Sequence, residues 1–203
     1  MKVAAAPARR TAPERFDRVR GEILARAAAA FRAHGFHGAG MREIAAAAGM
    51  QVGNLYHYFP AGKADLLYAC QRTALDTLLA GAKEVEARGG PAPARLEELV
   101  VRHVRCLLET TGGSAAHLEF RALPEPHRAV VARRRRLYEA AVRRTVEDGV
   151  ARGELRCADP KLAALAVLGA LNATVTWWRP DGDRSPDEIG KAFAKTLVGG
   201  LLP

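Results

Sequence analysis

Residues 35–63 read GFHGAGMREIAAAAGMQVGNLYHYFPAGK, and this stretch decides the fold. Met41, Ile44, Ala45 and Ala48 fall at i, i+3, i+4 and i+7, so a helix over 41–48 has one apolar face. Gly49 closes it, because glycine tolerates the left-handed conformation favoured after a helix C-terminus. Val52, Leu55, Tyr56 and Phe59 make a second stripe, on a helix over 52–58, and assign Tyr56 to the core. Gln51, Gly53, Asn54, His57 and Tyr58 then face outward. Amides, an imidazole, a phenol and bare backbone make a hydrogen-bonding surface. Two short helices, a glycine turn and a polar second helix match the helix-turn-helix, whose second helix enters the major groove of DNA.

The same residues resemble the DNA-binding domain of the TetR family of transcriptional repressors. The match runs through Gly35-Phe36, Met41-x-x-Ile44-Ala45, Ala48-Gly49, Gly53-x-Leu55-Tyr56-x-Tyr58-Phe59, Lys63 and Asp65-Leu66. There are departures. The family usually carries hydroxyl residues where this chain has Ala39-Gly40, Gln51 and Gly62. Glycine caps a helix nearly as well as serine, so the fold stands. Phosphate anchoring is expected to shift to Tyr58, Lys63 and backbone N–H groups.

Charge supports the same partner. The net charge is +9, and it is uneven. Residues 1–63 hold 10 Lys/Arg against 4 Asp/Glu, whereas residues 64–203 hold 21 against 18. An excess of cations placed with the motif is the footprint of a protein that neutralises phosphates. A basic surface for a membrane or protein partner is the alternative from charge alone.

Composition bounds the fold class. The chain of 203 residues is 49% apolar but only 6% aromatic, and alanine and arginine, both good helix formers, dominate. An all-α protein of about nine helices follows. Cys70, Cys106 and Cys157 are far apart and show no metal-ligand spacing, which fits a reducing, cytoplasmic location. The longest apolar run, Leu162–Leu171, is half of the roughly 20 residues a membrane span needs. No membrane association and no cofactor are expected.

Outward from the motif, residues 1–12 read as a disordered basic arm and 13–63 as the DNA-binding domain. Residues 64–203 read as a ligand-binding and dimerisation domain. A helix over 13–34, with Phe16, Val19, Ile23, Ala27, Ala30 and Phe31 inward, buttresses the motif and ends at Gly35. Pro60-Ala61-Gly62 separates the motif from a long helix over 63–88 that connects the two domains. Further helices are expected over 93–110, 114–122, 127–152, 160–178 and 186–199. Asp159-Pro160 and Ser185-Pro186-x-Glu188 mark the last two starts. The helix over 160–178 is rich in small residues, which suits either a subunit interface or a single core. A homodimer is preferred, because a helix-turn-helix usually reads two half-sites through two-fold symmetry.

Asp159-Pro160 through Gly169-Ala170-Leu171-Asn172, Trp177-Trp178-Arg179-Pro180-x-Gly182 and Ser185-Pro186-x-Glu188-Ile189 resemble one branch of TetR C-terminal domains. That resemblance implies an acyl-CoA thioester or another lipid-derived effector.

The site residues follow. Arg42, Gln51, Val52, Gly53, Asn54, His57, Tyr58 and Lys63 are expected on double-stranded DNA, at a palindromic operator. Gln51 and Asn54 suit adenine edges, and His57 a base or a phosphate. Tyr58, Lys63 and Arg42 suit phosphates. A small-molecule effector is expected near His103, Leu107, His117, Phe120, Arg134, Asn172 and Trp177. Arg134 falls in the stripe of Val130, Leu137 and Ala141. It either pairs with an acid such as Glu119 or Glu109, or meets an anionic headgroup. Trp177-Trp178 serves either packing or the effector cavity. The rival reading is a helical metal sensor or enzyme using His103, Cys106 and His117. No nucleophile elbow, phosphate loop or H-E-x-x-H motif is present, so no catalysis is expected.

Overall fold

The computed structural model describes residues 11–109 and 119–203. Among them are eight α-helices and one 3₁₀ turn. In order, the helices are α1 (Ala12–Gly38), α2 (Met41–Ala47), α3 (Val52–Tyr58), α4 (Lys63–Arg88), α5 (Ala92–Leu108), α6 (Glu125–Ala151), α7 (Pro160–Trp177) and α8 (Pro186–Gly199). The 3₁₀ turn is Phe120–Ala122. It is the described end of the helix expected over 114–122. Residues 114–118, His117 among them, lie outside the described residues, as do residues 1–10 of the expected arm.

Local chemistry sets the boundaries. Thr11 precedes α1, and its backbone N–H donates to Glu14 Oε2 at 2.8 Å. Gly35 breaks α1 internally with φ +68°, a conformation that only glycine adopts cheaply. The regular helix therefore ends at His34, as the sequence indicates. Asp159 caps α7 through the backbone N–H groups of Lys161 and Leu162, and Ser185 caps α8 in a capping box with Glu188.

One core runs from the DNA-binding domain into the second domain. Ile23, Ala27 and Phe31 of α1 meet Ile44 of α2, Leu55 of α3 and Leu66, Leu67 and Cys70 of α4. α4 continues into contact with α5 and α6. A second core joins α5, α7 and α8 through Val100, Val104, Leu107, Leu171 and Ile189. Gly190 lets α8 lie directly on α5, since a Cβ there would stand 3.2 Å from the Val101 Cα. Among the described residues no helix is long and apolar enough to cross a membrane.

Three sequence expectations are corrected. Tyr56 is 45% exposed, not core; its ring rests over Gly62. Phe16 is 39% exposed and leans on α3 rather than filling the α1 core. On α6 the inward stripe is Val131, Tyr138, Val142 and Val146, one residue along from Val130, Leu137 and Ala141. Apolar residues occur in adjacent pairs there (Val130-Val131, Leu137-Tyr138, Ala141-Val142), so periodicity alone fits both stripes. Arg134 follows from that shift. It stands at the α4–α6 groove and pairs with Asp76 of α4, not with Glu109 or Glu119.

Candidate nucleic-acid interface and effector core

The recognition helix is α3. Leu55 and Phe59 are fully buried and pin its inner face. The Arg20 guanidinium covers the Phe59 ring at 5.1 Å. Gln51, Gly53, Asn54 and His57 are exposed on the other side, Val52 and Tyr58 are half-buried, and Arg42 is exposed on α2. The expected DNA-facing residues of α3 therefore lie at or near one surface. His34 and Glu43 link α1 to α2 at 3.0 Å.

Two of these residues are held by contacts the sequence did not reveal. Tyr58 stacks on Phe16 with centroids 4.7 Å apart, and His57 meets the same ring edge-on at 6.2 Å. The apolar periodicity of α1 placed Phe16 in a stripe; only the crossing of α1 over α3 shows what its outer end touches. Lys63 donates from Nζ to the carbonyls of His37 and Ala39, at 3.2 and 3.1 Å, and sits 4.8 Å from the Phe36 ring centre. Its ammonium thus ties the α1–α2 connection to the start of α4. Gly40 donates its backbone N–H to Glu43 at 3.4 Å, which serves the start of α2 without a hydroxyl.

Among the described residues, the expected effector residues do not share one cavity. His103 of α5 is buried between α6 and α7, 3.3 Å from the Tyr138 hydroxyl through Nδ1 and 3.1 Å from Asn172 Oδ1 through Nε2. Oδ1 only accepts, so Nε2 carries the proton and Nδ1 accepts from the Tyr138 O–H. Burial favours this neutral form and pushes the His103 pKa down to about 4. Burial also raises the Tyr138 pKa. Leu107 belongs to the second core. Phe120 lies under the Arg135 guanidinium at 4.6 Å. Trp177 is 51% exposed and stacks on Phe193 at 6.3 Å. Cys106 turns its Sγ to the Ala74 carbonyl at 3.4 Å, so it does not join His103 around a common point.

A cleft lies instead between α4 and α5, with a volume of about 160 Å³. Leu78, Gly81, Ala82, Leu99 and Cys106 line it, Tyr138 forms one wall, and Arg102, Arg105 and Glu109 stand around it. Arg102 is held by Glu84 at 2.9 Å and Glu98 at 2.8 Å, and Arg105 pairs with Asp187 of α8. The run Ala80-Gly81-Ala82 on α4 gives Arg102 room to lie across the helix, since a Cβ at Gly81 would stand 3.2 Å from Arg102 Nη1. Two wider grooves, of about 670 and 380 Å³, flank α6 and are lined by a mixture of charged and apolar side chains.

The outward face of α7 is apolar. Leu162, Leu165, Ala166, Gly169, Ala173 and Trp177 are all exposed at helical spacing. Three of the small residues of this helix, Ala166, Gly169 and Ala173, thus turn away from the core of their own chain.

Known proteins match this arrangement over both halves. The family model for bacterial regulatory proteins of the tetR family matches residues 23–70. The model for the tetracyclin repressor-like C-terminal domain matches residues 89–201. The HTH-type transcriptional repressor KstR2 of Rhodococcus jostii (strain RHA1) is 28% identical over 191 residues, covering 90% of each chain. The crystal structure of the TetR family transcriptional regulator PfmR from Thermus thermophilus superposes with a TM-score of 0.80 at 28% identity. That superposition covers 89% of this chain and 99% of PfmR. AibR in complex with isovaleryl coenzyme A and operator DNA shares the fold, with a TM-score of 0.75 at 24% identity over 91% of this chain and 98% of AibR. The helix-turn-helix, the second helical domain and these matches agree: the chain belongs to the TetR family of DNA-binding transcriptional regulators.

Proposed function

We propose that the chain is a homodimeric repressor that reads a palindromic operator through α3 and leaves it when a small effector binds the second domain. The observation that carries this is the exposed row Gln51, Asn54 and His57, on a helix whose other side is locked by fully buried Leu55 and Phe59. Gln51 and Asn54 read base edges, and His57 a base or a phosphate. Val52 and Gly53 bring the helix close to the groove floor. Tyr58 and Arg42 hold phosphates and fix register. Lys63 contributes by bracing the turn before α2. The apolar face of α7 pairs with its copy in the partner subunit, which sets two recognition helices on successive grooves about 34 Å apart. The DNA-binding domain comprises residues 13–63, the effector and dimerisation domain residues 64–203, and the protein acts in the cytoplasm without enzymatic activity.

The effector is an acyl-CoA thioester or a related lipid-derived molecule. Support comes from a fold shared with AibR, which has been crystallised with isovaleryl coenzyme A and operator DNA. By linkage, DNA weakens effector binding by the factor with which effector weakens DNA binding.

Selection of bound fragments from a random DNA pool tests the reading. A two-fold symmetric consensus is expected, with binding that survives excess competitor DNA. Loss of all discrimination would leave a non-specific basic DNA binder instead.

A further inference from the structure

The small cleft between α4 and α5 limits what the effector can be. Its volume of about 160 Å³ is close to that of an apolar cavity that takes up benzene, about 150 Å³. Its inner lining is apolar: Leu78, Ala82 and Leu99, with Cys106 turned to a backbone carbonyl. At its rim Arg102 and Arg105 are held by the carboxylates of Glu84, Glu98 and Asp187 rather than swinging free, and Glu109 stands beside them. Its inner end is therefore sized and greased for a few carbons. The wider grooves beside α6, at about 670 and 380 Å³, lack that match in size.

The cleft is also wired to the dimer-facing helix. The Tyr138 ring forms a wall of it, and the Tyr138 hydroxyl begins a chain that runs through His103 to Asn172 on α7. Tyr138 and His103 are both buried, so water does not stand in for either partner. Displacing the ring leaves His103 Nδ1 without its donor, and a buried unsatisfied nitrogen is costly. Restoring the chain then requires α5, α6 or α7 to move.

We infer that this cleft receives the acyl part of the effector, restricts it to a short branched chain or a single ring of about six carbons, and reports its occupancy to α7 through Tyr138, His103 and Asn172. The inference rests on the proposed effector-released repressor and narrows its ligand class. A long unbranched chain or a fused ring system exceeds the space.

Calorimetric titration of the full-length dimer with isovaleryl-CoA, benzoyl-CoA, lauroyl-CoA and free CoA tests it. The two short thioesters are expected to bind at least tenfold more tightly than lauroyl-CoA or CoA. Ala82→Leu, which fills the cleft, is expected to weaken isovaleryl-CoA at least tenfold. Leu99→Ala, which enlarges it, is expected to shift preference toward lauroyl-CoA, and this second variant decides the question if the first does not fold. Release from the selected operator then tests the wiring. In Asn172→Leu the ratio of the half-releasing isovaleryl-CoA concentration to its Kd should rise at least tenfold. Lauroyl-CoA binding as tightly as isovaleryl-CoA overturns the size limit. An unchanged ratio overturns the role of Asn172. If no thioester binds at all, the acyl-CoA reading itself fails, and this assignment of the cleft fails with it.

Discussion

Phe16 of α1 lies against Tyr58 of α3, with ring centroids 4.7 Å apart and planes 28° from parallel. The contact joins the outer end of the first helix to the last turn of the recognition helix. It fixes the direction of a phenol that would otherwise turn freely at the protein surface. An aromatic pair contributes about 0.5–1.5 kcal/mol beyond its buried area. Phe16→Ala should therefore weaken operator binding about three- to tenfold, measured by gel shift or fluorescence anisotropy. Phe16→Tyr should restore most of it. Equal affinity in Phe16→Ala and the parent protein would mean that Tyr58 needs no support.

Lys63 engages two carbonyls and an aromatic face. Its removal should act first on the DNA-binding domain itself. Lys63→Ala is expected to cost about 1–2 kcal/mol of stability and to weaken all DNA sequences alike. The slope of log affinity against log salt should stay the same, since no phosphate contact is lost. A slope shallower by about one unit would instead place the ammonium on a phosphate.

His103 makes stability depend on pH. Its folded pKa of about 4 lies below the unfolded value of 6.5, so the unfolded chain binds the extra proton between those limits. Stability contributed by neutral His103 is full above pH 6.5 and declines as pH falls toward 4. The whole effect is about 3 kcal/mol. Denaturant melts at several pH values should show it, and His103→Gln should remove this part of the pH dependence.

The outward stripe of α7 gives the fourth expectation. Leu165 is 45% exposed amid alanine and glycine. Leu165→Glu would bury a carboxylate in the proposed dimer face, at a cost no partner offsets. Light scattering should show a monomer of 21.8 kDa. Operator affinity should fall about a hundredfold or more, because two half-sites are no longer bound together. A dimer that persists in Leu165→Glu would move the interface elsewhere.

The motif was legible because its signals are local. The glycine at 49, the stripe Ile44-Ala45 and the pair Leu55/Phe59 each act within a few residues, and the helices occur where those signals place them. The caps at Asp159 and Ser185 are equally local. The misassigned residues answer to distant parts of the chain. Tyr56 shares the helical phase of a core residue, yet the approach of Gly62 after the turn leaves it outside. Arg134 finds Asp76, 58 positions away, because α4 and α6 lie side by side. The sequence places both His103 and Asn172 near the effector but does not pair them. Their mutual hydrogen bond needs α5 and α7 in contact, which no periodicity encodes.

α4 is one uninterrupted helix from Lys63 to Arg88, 26 residues long. At 1.5 Å per residue it is a rod of about 39 Å. Its first turn is lashed to the DNA-binding domain by Lys63, and its second half borders the cleft through Leu78, Gly81 and Ala82. A rod with such ends is a lever. The cleft lies about 17 residues, roughly 26 Å, from Lys63, so a tilt of about 5° about it would carry the Lys63 end by roughly 2 Å. Two levers related by a two-fold axis move in opposed directions, so their tips part or close by up to twice that distance. A shift of the Tyr138 ring on filling of the cleft would, through such a lever, become a mismatch with the period of the double helix.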